Sequence, residues 1–239
     1  MSGFRFKRFS VANDRAAMKV NTDGVVLGAS AGLRPSDRRI LDIGTGTGII
    51  ALMLAQRLSD LGNTFGITGI DIDADSAGEA ASNFAASPWA GSLRAECCAL
   101  QDFRPEAGEY DLIVSNPPFY DDSLTNPDAR KCQARHTGSL PHGELAAFAA
   151  GHLSREGRIS VIIPEDVRET FCRTLRASGL YPFRVLKIRG TAAKPYSRAV
   201  VEAGRTRPGV LAEESLTIRE GDGWTAGYLT LTKEFHPFA

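Results

Sequence analysis

The 239-residue chain has no apolar run approaching the about 18–20 residues that a membrane-crossing helix needs, so no part of it reads as a span. It opens Met1-Ser2-Gly3-Phe4-Arg5-Phe6-Lys7, charged but with no apolar stretch behind, and no signal peptide is expected. Cysteine is scarce: Cys97, Cys98, Cys132 and Cys172 fit neither a zinc-ligand spacing nor a disulfide framework. A bond between the neighbours Cys97 and Cys98 would be strained, so reduced thiols and a cytoplasmic setting are expected. The four histidines (136, 142, 152 and 236) show no metal-ligand spacing either, and no metal is expected. Net charge is absent, 28 cations against 28 anions, which argues against a protein that coats nucleic acid indiscriminately. There is no internal repeat and no low-complexity tract. What is there is the make-up of one ordinary folded domain with a full core, 43 % hydrophobic and 23 % charged.

The most informative stretch is Tyr110-Asp111-Leu112-Ile113-Val114-Ser115-Asn116-Pro117-Pro118-Phe119-Tyr120. Its apolar run reads as a buried parallel strand that the prolines forbid from continuing. Beyond the run lie an Asn amide, a carbonyl followed by a residue without N–H, and an aromatic face. That set suits a planar group bearing an amino nitrogen: the two oxygens accept its hydrogens and the ring stacks on its plane. A proline-rich turn that only stops a strand is the plainer reading of the same residues.

A second motif bears on that choice. In Ile40-Leu41-Asp42-Ile43-Gly44-Thr45-Gly46-Thr47-Gly48 a short apolar strand runs into glycines, and a helical apolar pattern starts at Ile49. A strand, a glycine-rich turn and a helix begin a βαβ unit in which a ligand approaches the backbone closely. The spacing is Gly-x-Gly-x-Gly rather than the dinucleotide Gly-x-Gly-x-x-Gly. Asp42 precedes it, and a carboxylate there repels pyrophosphate and favours an ammonium- or sulfonium-bearing ligand. Residues 66–73 read as the next strand, ending in acids; Asp71 at its tip is placed to meet ribose hydroxyls, with Ile72 beside it, while Asp73 competes for that role or caps the next helix.

In this order and spacing, Asp42 to Gly48, Asp71 and Asn116 to Phe119 resemble the class I S-adenosylmethionine-dependent methyltransferases. The Asn-Pro-Pro-aromatic tetrapeptide resembles that of the branch acting on planar amines: adenine N6, guanine N2 or a glutamine amide. Phe4-Arg5-Phe6-Lys7-Arg8-Phe9, Met18-Lys19-Val20-Asn21-Thr22-Asp23-Gly24, Ser87-Pro88-Trp89-Ala90 and Tyr228 to Phe235 make nearly the whole chain similar to the bacterial tRNA(Val) (adenine-37-N6)-methyltransferase family. The resemblance implies a Rossmann-like α/β fold, a mostly parallel, doubly wound seven-stranded sheet with an antiparallel last strand. It implies a single methyltransferase domain over 1–239, with a basic, cofactor-covering segment (1–35), a catalytic core (36–205) and a C-terminal strand and helix (206–239). S-adenosyl-L-methionine is the implied cofactor and tRNA the implied partner, for a protein expected to be a monomer or weak dimer. Catalytic roles fall to Asn116, Pro117 and Phe119. Cofactor contacts fall to Thr22, Asp23, Asp42, Gly44, Gly46, Gly48, Asp71, Ile72, Leu100 and Asn116. Substrate contacts fall to Pro118, Phe119, Tyr120, Lys131 and Arg135. Where many relatives carry an acid for the cofactor's adenine, this chain has Ala99-Leu100, with Asp102 two residues on. The runner-up reading is a protein glutamine methyltransferase; the basic N-terminus, and the lack of that family's extra N-terminal helical domain, speak against it.

Strands are expected near 38–43, 66–71, 93–98, 109–115, 157–163, 181–189 and 197–204, and helices over 22–31, 48–60, 74–86, 143–154, 165–178 and 224–234. Strand and helix alternate, as in a parallel sheet covered on both faces. Asp23-Gly24 marks the first helix's cap. The polar segment 117–141 is long enough to be a functional loop, read here as a lid on the substrate side. Among the basic clusters, Phe4, Phe6 and Phe9 are expected to face the core while Arg5, Lys7, Arg8, Arg15 and Lys19 face water. Arg130, Lys131, Arg135 and His136 beside the Asn-Pro-Pro loop are expected to meet RNA phosphates.

Overall fold

The computed structural model describes residues 3–16, 18–62, 64–105, 109–118 and 140–236. A hairpin of β1 (Gly3–Arg5) and β2 (Ser10–Ala12) precedes α1 (Thr22–Ser30). Then come β3 (Arg39–Ile43), α2 (Ile49–Asp60), β4 (Gly66–Asp71), α3 (Ala74–Ala85), β5 (Leu93–Cys97) and β6 (Tyr110–Ser115). The second half holds α4 (His142–His152), β7 (Leu153–Pro164), α5 (Arg168–Ala177), β8 (Tyr181–Thr191), β9 (Arg198–Gly204), β10 (Ala212–Glu220), β11 (Gly223–Trp224) and α6 (Ala226–Thr232).

The main sheet has the order β11-β10-β8-β9-β7-β6-β3-β4-β5. Its seven strands from β3 to β9 are parallel except β9, which runs antiparallel between β7 and β8. This is the expected sheet, and β10 and β11 extend one edge of it. The order reverses between β3 and β6: the chain leaves β3 toward β4 and β5, then returns to build β6 on the other side. Ligands of open α/β sheets bind at the carboxyl ends of strands at such a switch point.

Period-two alternation distributes the strand residues between two cores. Ile40, Leu112, Val114 and Val200 pack with α1 and α2 on one face; Leu41, Ile113, Ile159 and Val201 pack with α4 and α5 on the other. The expected inward aromatics are there: Phe6 and Phe9 are buried and stack at 4.6 Å, with His236 against Phe6. The cap of α1 is two residues earlier than the expected Asp23. Asn21 accepts from the Gly24 amide at 2.9 Å, while Asp23 sits inside the first turn.

A buried polar network ties the far end of α1 to the sheet. Arg158 donates to both oxygens of Asp37, to the Gly32 carbonyl and to the Asp111 carbonyl. The neighbouring Glu202 accepts from the Gly32 amide at 2.7 Å and pairs with Arg184 at 3.3 Å.

Candidate functional site

The glycine loop is shaped by backbone that only glycine adopts without strain. Gly44, Gly46 and Gly48 lie at φ +71°, +55° and +81°. Two of them differ in what surrounds them. A Cβ on Gly48 would fall 2.4 Å from the Phe84 ring, so this glycine lets α2 approach α3; a Cβ on Gly44 would meet no atom within 4 Å. The loop is hung on β4: the Gly44 and Thr45 amides donate to the Ile70 carbonyl at 2.9 and 3.0 Å, and the Gly46 amide to Asp71 Oδ2 at 2.9 Å. Asp71 Oδ1 accepts from the Asp73 amide at 3.0 Å, and burial pushes the Asp71 carboxyl above its ordinary pKa.

Asp42 lies under the loop, fully buried. Thr45 Oγ1 donates to its Oδ2 at 2.8 Å, and Oδ1 has no hydrogen-bond partner. Burial pushes its pKa up to about 7, the Thr45 hydroxyl and the Ala51 amide opposing and the Asp71 charge adding.

Asn116 arrives beside this loop because of strand register. Ser115 pairs with Ile43, and its hydroxyl donates to the Ile43 carbonyl at 2.8 Å. The next residue on each strand is therefore Asn116 and Gly44, side by side. Asn116 is 7 % exposed. Its Nδ2 lies 3.8 Å from Met18 Sδ, and its Oδ1 has no partner among the described residues. A buried amide oxygen without a donor costs about 1–3 kcal/mol. Pro117 is buried behind it and Pro118 half-buried in front.

These parts enclose a cavity of about 370 Å³ at the carboxyl ends of β3, β4, β5 and β6. Gly44 to Thr47 form its floor, Asp71 to Asp73 one wall, and Cys98 to Gln101 another. Asn116 and Pro118 face them, while Met18, Lys19, Asn21 and Gly24 close the remaining side.

That last side is held by two side chains of α3. The buried Glu79 carboxylate accepts three amides, from Asp14, Arg15 and Ala16, at 2.8, 2.9 and 2.8 Å. Burial raises its pKa, but the three donors outweigh it and leave the carboxyl below its ordinary range. One turn on, Asn83 accepts from the Ala12 amide and donates to the carbonyls of Ala12 and Thr47, fixing strap and glycine loop together. Lys19 Nζ closes the strap on itself through the carbonyls of Asn13 and Asp14, both at 2.8 Å.

The structure thus brings together Gly44, Gly46, Asp71, Ile72, Leu100, Asn116 and Pro118 on one cavity. Thr22, Asp23, Asp42 and Gly48 are off its wall. Asp42 supports the loop from below rather than facing a ligand, and at a pKa near 7 it carries only part of a charge at neutral pH. Asp23 is paired with Arg198 at 2.8 Å, and Gly48 is spent on helix packing. Asp73 caps α3, accepting from the Ser76 amide at 2.8 Å. Asp102 is exposed and off the wall. Phe119, Tyr120, Lys131 and Arg135, the cations Arg130 and His136, and most of the expected lid lie outside the described residues. Sequence reasoning missed Glu79 and Asn83; four apart on α3 and buried among alanines, they form a polar pair on an apolar face. Among the described residues no group of histidine, cysteine and acidic side chains is placed to hold a metal ion, and no helix is long and apolar enough to cross a membrane.

Comparison with known proteins agrees with this geometry. Residues 29–170 match the methyltransferase small domain. The sequence is 39 % identical over 238 residues to a Bacteroides fragilis tRNA1(Val) (adenine(37)-N6)-methyltransferase, covering 98 % of this chain and 97 % of that one. It is 40 % identical over 238 residues to the protein of the same name from Enterobacter sp. strain 638, covering 99 % and 95 %. Among solved structures, a predicted O-methyltransferase from Agrobacterium tumefaciens superposes with a TM-score of 0.60 at 17 % identity, covering 89 % of this chain and 96 % of that one. A Thermus thermophilus 16S rRNA N2 G1207 methyltransferase in complex with AdoMet and guanosine gives 0.56 at 18 % identity, covering 86 % and 50 %. The solved structures share the fold, and the full-length relatives share the sequence: the protein belongs to the methyltransferase small domain family and, within it, to the tRNA1(Val) (adenine(37)-N6)-methyltransferases.

Proposed function

We propose that the protein transfers the methyl group of S-adenosylmethionine to N6 of an adenine in RNA, at position 37 in the anticodon loop of a tRNA(Val), in the cytoplasm. The observation that carries this reading is the Asn116 amide oxygen, buried at the cavity wall with no donor among the described residues. An unsatisfied acceptor there is explained by a ligand N–H, and the relatives' name supplies the amine.

The cavity fits the cofactor. Open space over Gly44 leaves backbone accessible to it, and the Asp71 carboxylate, though engaged by the amides of Gly46, Ile72 and Asp73, keeps acceptor capacity for a ribose hydroxyl. Ile72 and Leu100 offer apolar faces to a purine. With Ala99 where relatives carry an acid, the purine's amine is left to backbone groups of residues 98–101. Bound there, S-adenosylmethionine supplies an electrophilic methyl carbon on a sulfonium sulfur.

The chain's own residues prepare the acceptor. The N6 lone pair of adenine is delocalised into the ring and weakly nucleophilic. Asn116 Oδ1 and the Pro117 carbonyl accept its two hydrogens, favouring a pyramidal nitrogen with a directed lone pair, which is chiefly a positioning effect. Phe119 is assigned the stacking face for a base swung out of its strand, and Pro118 and Tyr120 its surroundings. The amine becomes strongly acidic once alkylated, so the proton needs no dedicated base; no histidine among the described residues lines the cavity. Lys131 and Arg135 are assigned to phosphates.

The test supplies methyl-labelled S-adenosylmethionine with tRNA, DNA and protein fractions, followed by mass spectrometry of nucleosides and residues. Label in N6-methyladenosine of tRNA supports the reading. Label confined to protein glutamine would overturn it.

A further inference from the structure

We infer that the β8–β9 turn, Arg189 to Arg198, is the platform for the RNA strand flanking the target nucleotide. The inference rests on the RNA-methylating reading and says where the substrate lies.

The argument begins with which cations are already used. The basic N-terminus is largely occupied within the fold. Arg8 pairs with Asp60 and lies over Trp89 at 5.4 Å, and Lys7 donates to the Lys233 carbonyl. Asp60 ends α2, which starts at the glycine loop and runs back along the sheet, so Arg8 sits at the end remote from the cavity. The longest acid-free basic stretch is elsewhere. Residues 181–201 hold Arg184, Lys187, Arg189, Lys194 and Arg198 and no Asp or Glu. On β8, Arg184 and Lys187 are matched by Glu214 and Glu213 of the neighbouring strand. Within the turn itself there is no acid; its acidic neighbours are Glu165 and Asp166 after β7, where the Glu165 amide donates to the Ser197 carbonyl at 3.2 Å and the Glu165 carboxylate is matched by Arg168. Among the described residues Arg189 has only neutral hydrogen-bond partners, Thr217 Oγ1 at 2.9 Å and the Ala192 carbonyl at 3.1 Å, and stacks over Tyr196 at 5.2 Å. Lys194 is exposed, and its ammonium has no partner among the described residues.

Topology puts this turn on the cavity's side of the sheet. It joins the carboxyl end of β8 to the start of β9, and Arg198 pairs in register with Pro164 at the end of β7. β7 neighbours β6, which leads to Asn116. At about 4.8 Å per strand, the turn lies about 14 Å from Asn116 along the edge, within reach of nucleotides next to one held in the cavity. Arg198 also ties the turn to the cavity rim through Asp23, one residue before Gly24 on its wall. On the far side the platform stops where Glu220 and Asp222 restore the charge balance around Arg219.

The occupant this fits is single-stranded or loop RNA. Unmatched cations draw phosphates, and an aromatic ring already backed by a guanidinium offers a sequence-tolerant stacking face. A protein partner recognised by charge would not call for the Tyr196 face.

The experiment uses the full chain and unmodified tRNA(Val) transcript. Binding is measured between 50 and 200 mM salt for the wild type, Arg189→Ala/Lys194→Ala, Lys194→Glu, Tyr196→Ala, and Arg155→Ala as a control cation at the start of β7. The platform variants are expected to weaken tRNA binding about tenfold. The double variant should also flatten the salt dependence by about two phosphate contacts. S-adenosylmethionine affinity stays at the wild-type value. Lys194→Glu alone decides the matter if the double variant fails to fold, because Lys194 is wholly on the surface. Wild-type-like tRNA affinity and salt slope in the platform variants would overturn the platform. A wild type that neither binds nor methylates tRNA would overturn the RNA reading itself.

Discussion

Two clusters of buried polar groups flank helix α1, and they are finished differently. At its carboxyl end Arg158 and Asp37, each at most 3 % exposed, saturate one another, with Gly32 and Asp111 taking the remaining donors. Glu202 is likewise matched by an amide and a guanidinium, and the buried Ser30 hydroxyl has no partner among the described residues. At the amino end, around the cavity, Asn116 Oδ1 and Asp42 Oδ1 are both buried and both unmet among the described residues. Of these two, Asn116 Oδ1 stands on the cavity wall, where a ligand N–H can meet it, whereas Asp42 Oδ1 lies beneath the loop; Gln56 Oε1 and Ser160 Oγ are unmet among the described residues too, away from the cavity. Stability and activity should therefore separate between the two ends.

The largest effect is expected at the saturated end. Asp37→Ala leaves the Arg158 guanidinium buried and unmatched, and breaking such a pair costs about 3–5 kcal/mol. Denaturant unfolding should show that loss, while turnover per folded molecule at low temperature stays near wild type. A loss below about 1 kcal/mol would show that the pair is not the clasp its geometry suggests.

The open end should respond in the opposite way. Asn116→Ala removes an acceptor that has no donor in the fold, so stability should hold or rise slightly. Turnover should fall about a hundredfold or more, the scale for losing one group aligned on a reacting centre, with cofactor affinity within a few fold. Equal loss of cofactor binding would assign Asn116 to the loop's shape instead. Asp71→Ala should do the converse, weakening cofactor binding by about 1.5–3 kcal/mol, read by calorimetry. An unchanged dissociation constant would remove Asp71 from the ribose.

The same contrast explains how far the sequence could be read. Strands β3 to β9 were legible because each is an apolar run with glycine, proline or acidic punctuation, and Asn116 and the glycines because they break that pattern at a strand's end. β10 is harder: Glu213, Glu214 and Arg219 give it the look of a surface loop, and it becomes a strand because its acids meet Arg184 and Lys187 across the ladder. Sequence order also hid the strap. Glu79 lies more than sixty residues from the amides it holds, so only the folded geometry reveals that the segment before α1 is moored to α3. Asp42 stands out in the sequence, but register alone does not tell whether a carboxylate beside a loop lines the cavity or lies beneath the loop, where the structure places it.

Asp42 supplies the sharpest test of the comparison, because it is read as a difference between two pH curves. Its folded pKa, about 7, lies above the unfolded value of 3.8, so the native state binds the proton more tightly. Its contribution to stability is full below about pH 4 and is lost as pH rises toward 7, at up to about 1.4 kcal/mol per pH unit. Asp42→Asn removes that titration while keeping an oxygen for the Thr45 hydroxyl. Its unfolding free energy should decline less than the wild type's between pH 4 and 7, and the two curves should run parallel above pH 8. No comparable change is expected on mutating Glu79, whose pKa is displaced the other way by three amide donors. Parallel curves for Asp42→Asn and wild type across the whole range would mean that the carboxylate under the loop is already satisfied. The division between a closed structural end and an open working end would then rest on Asn116 alone.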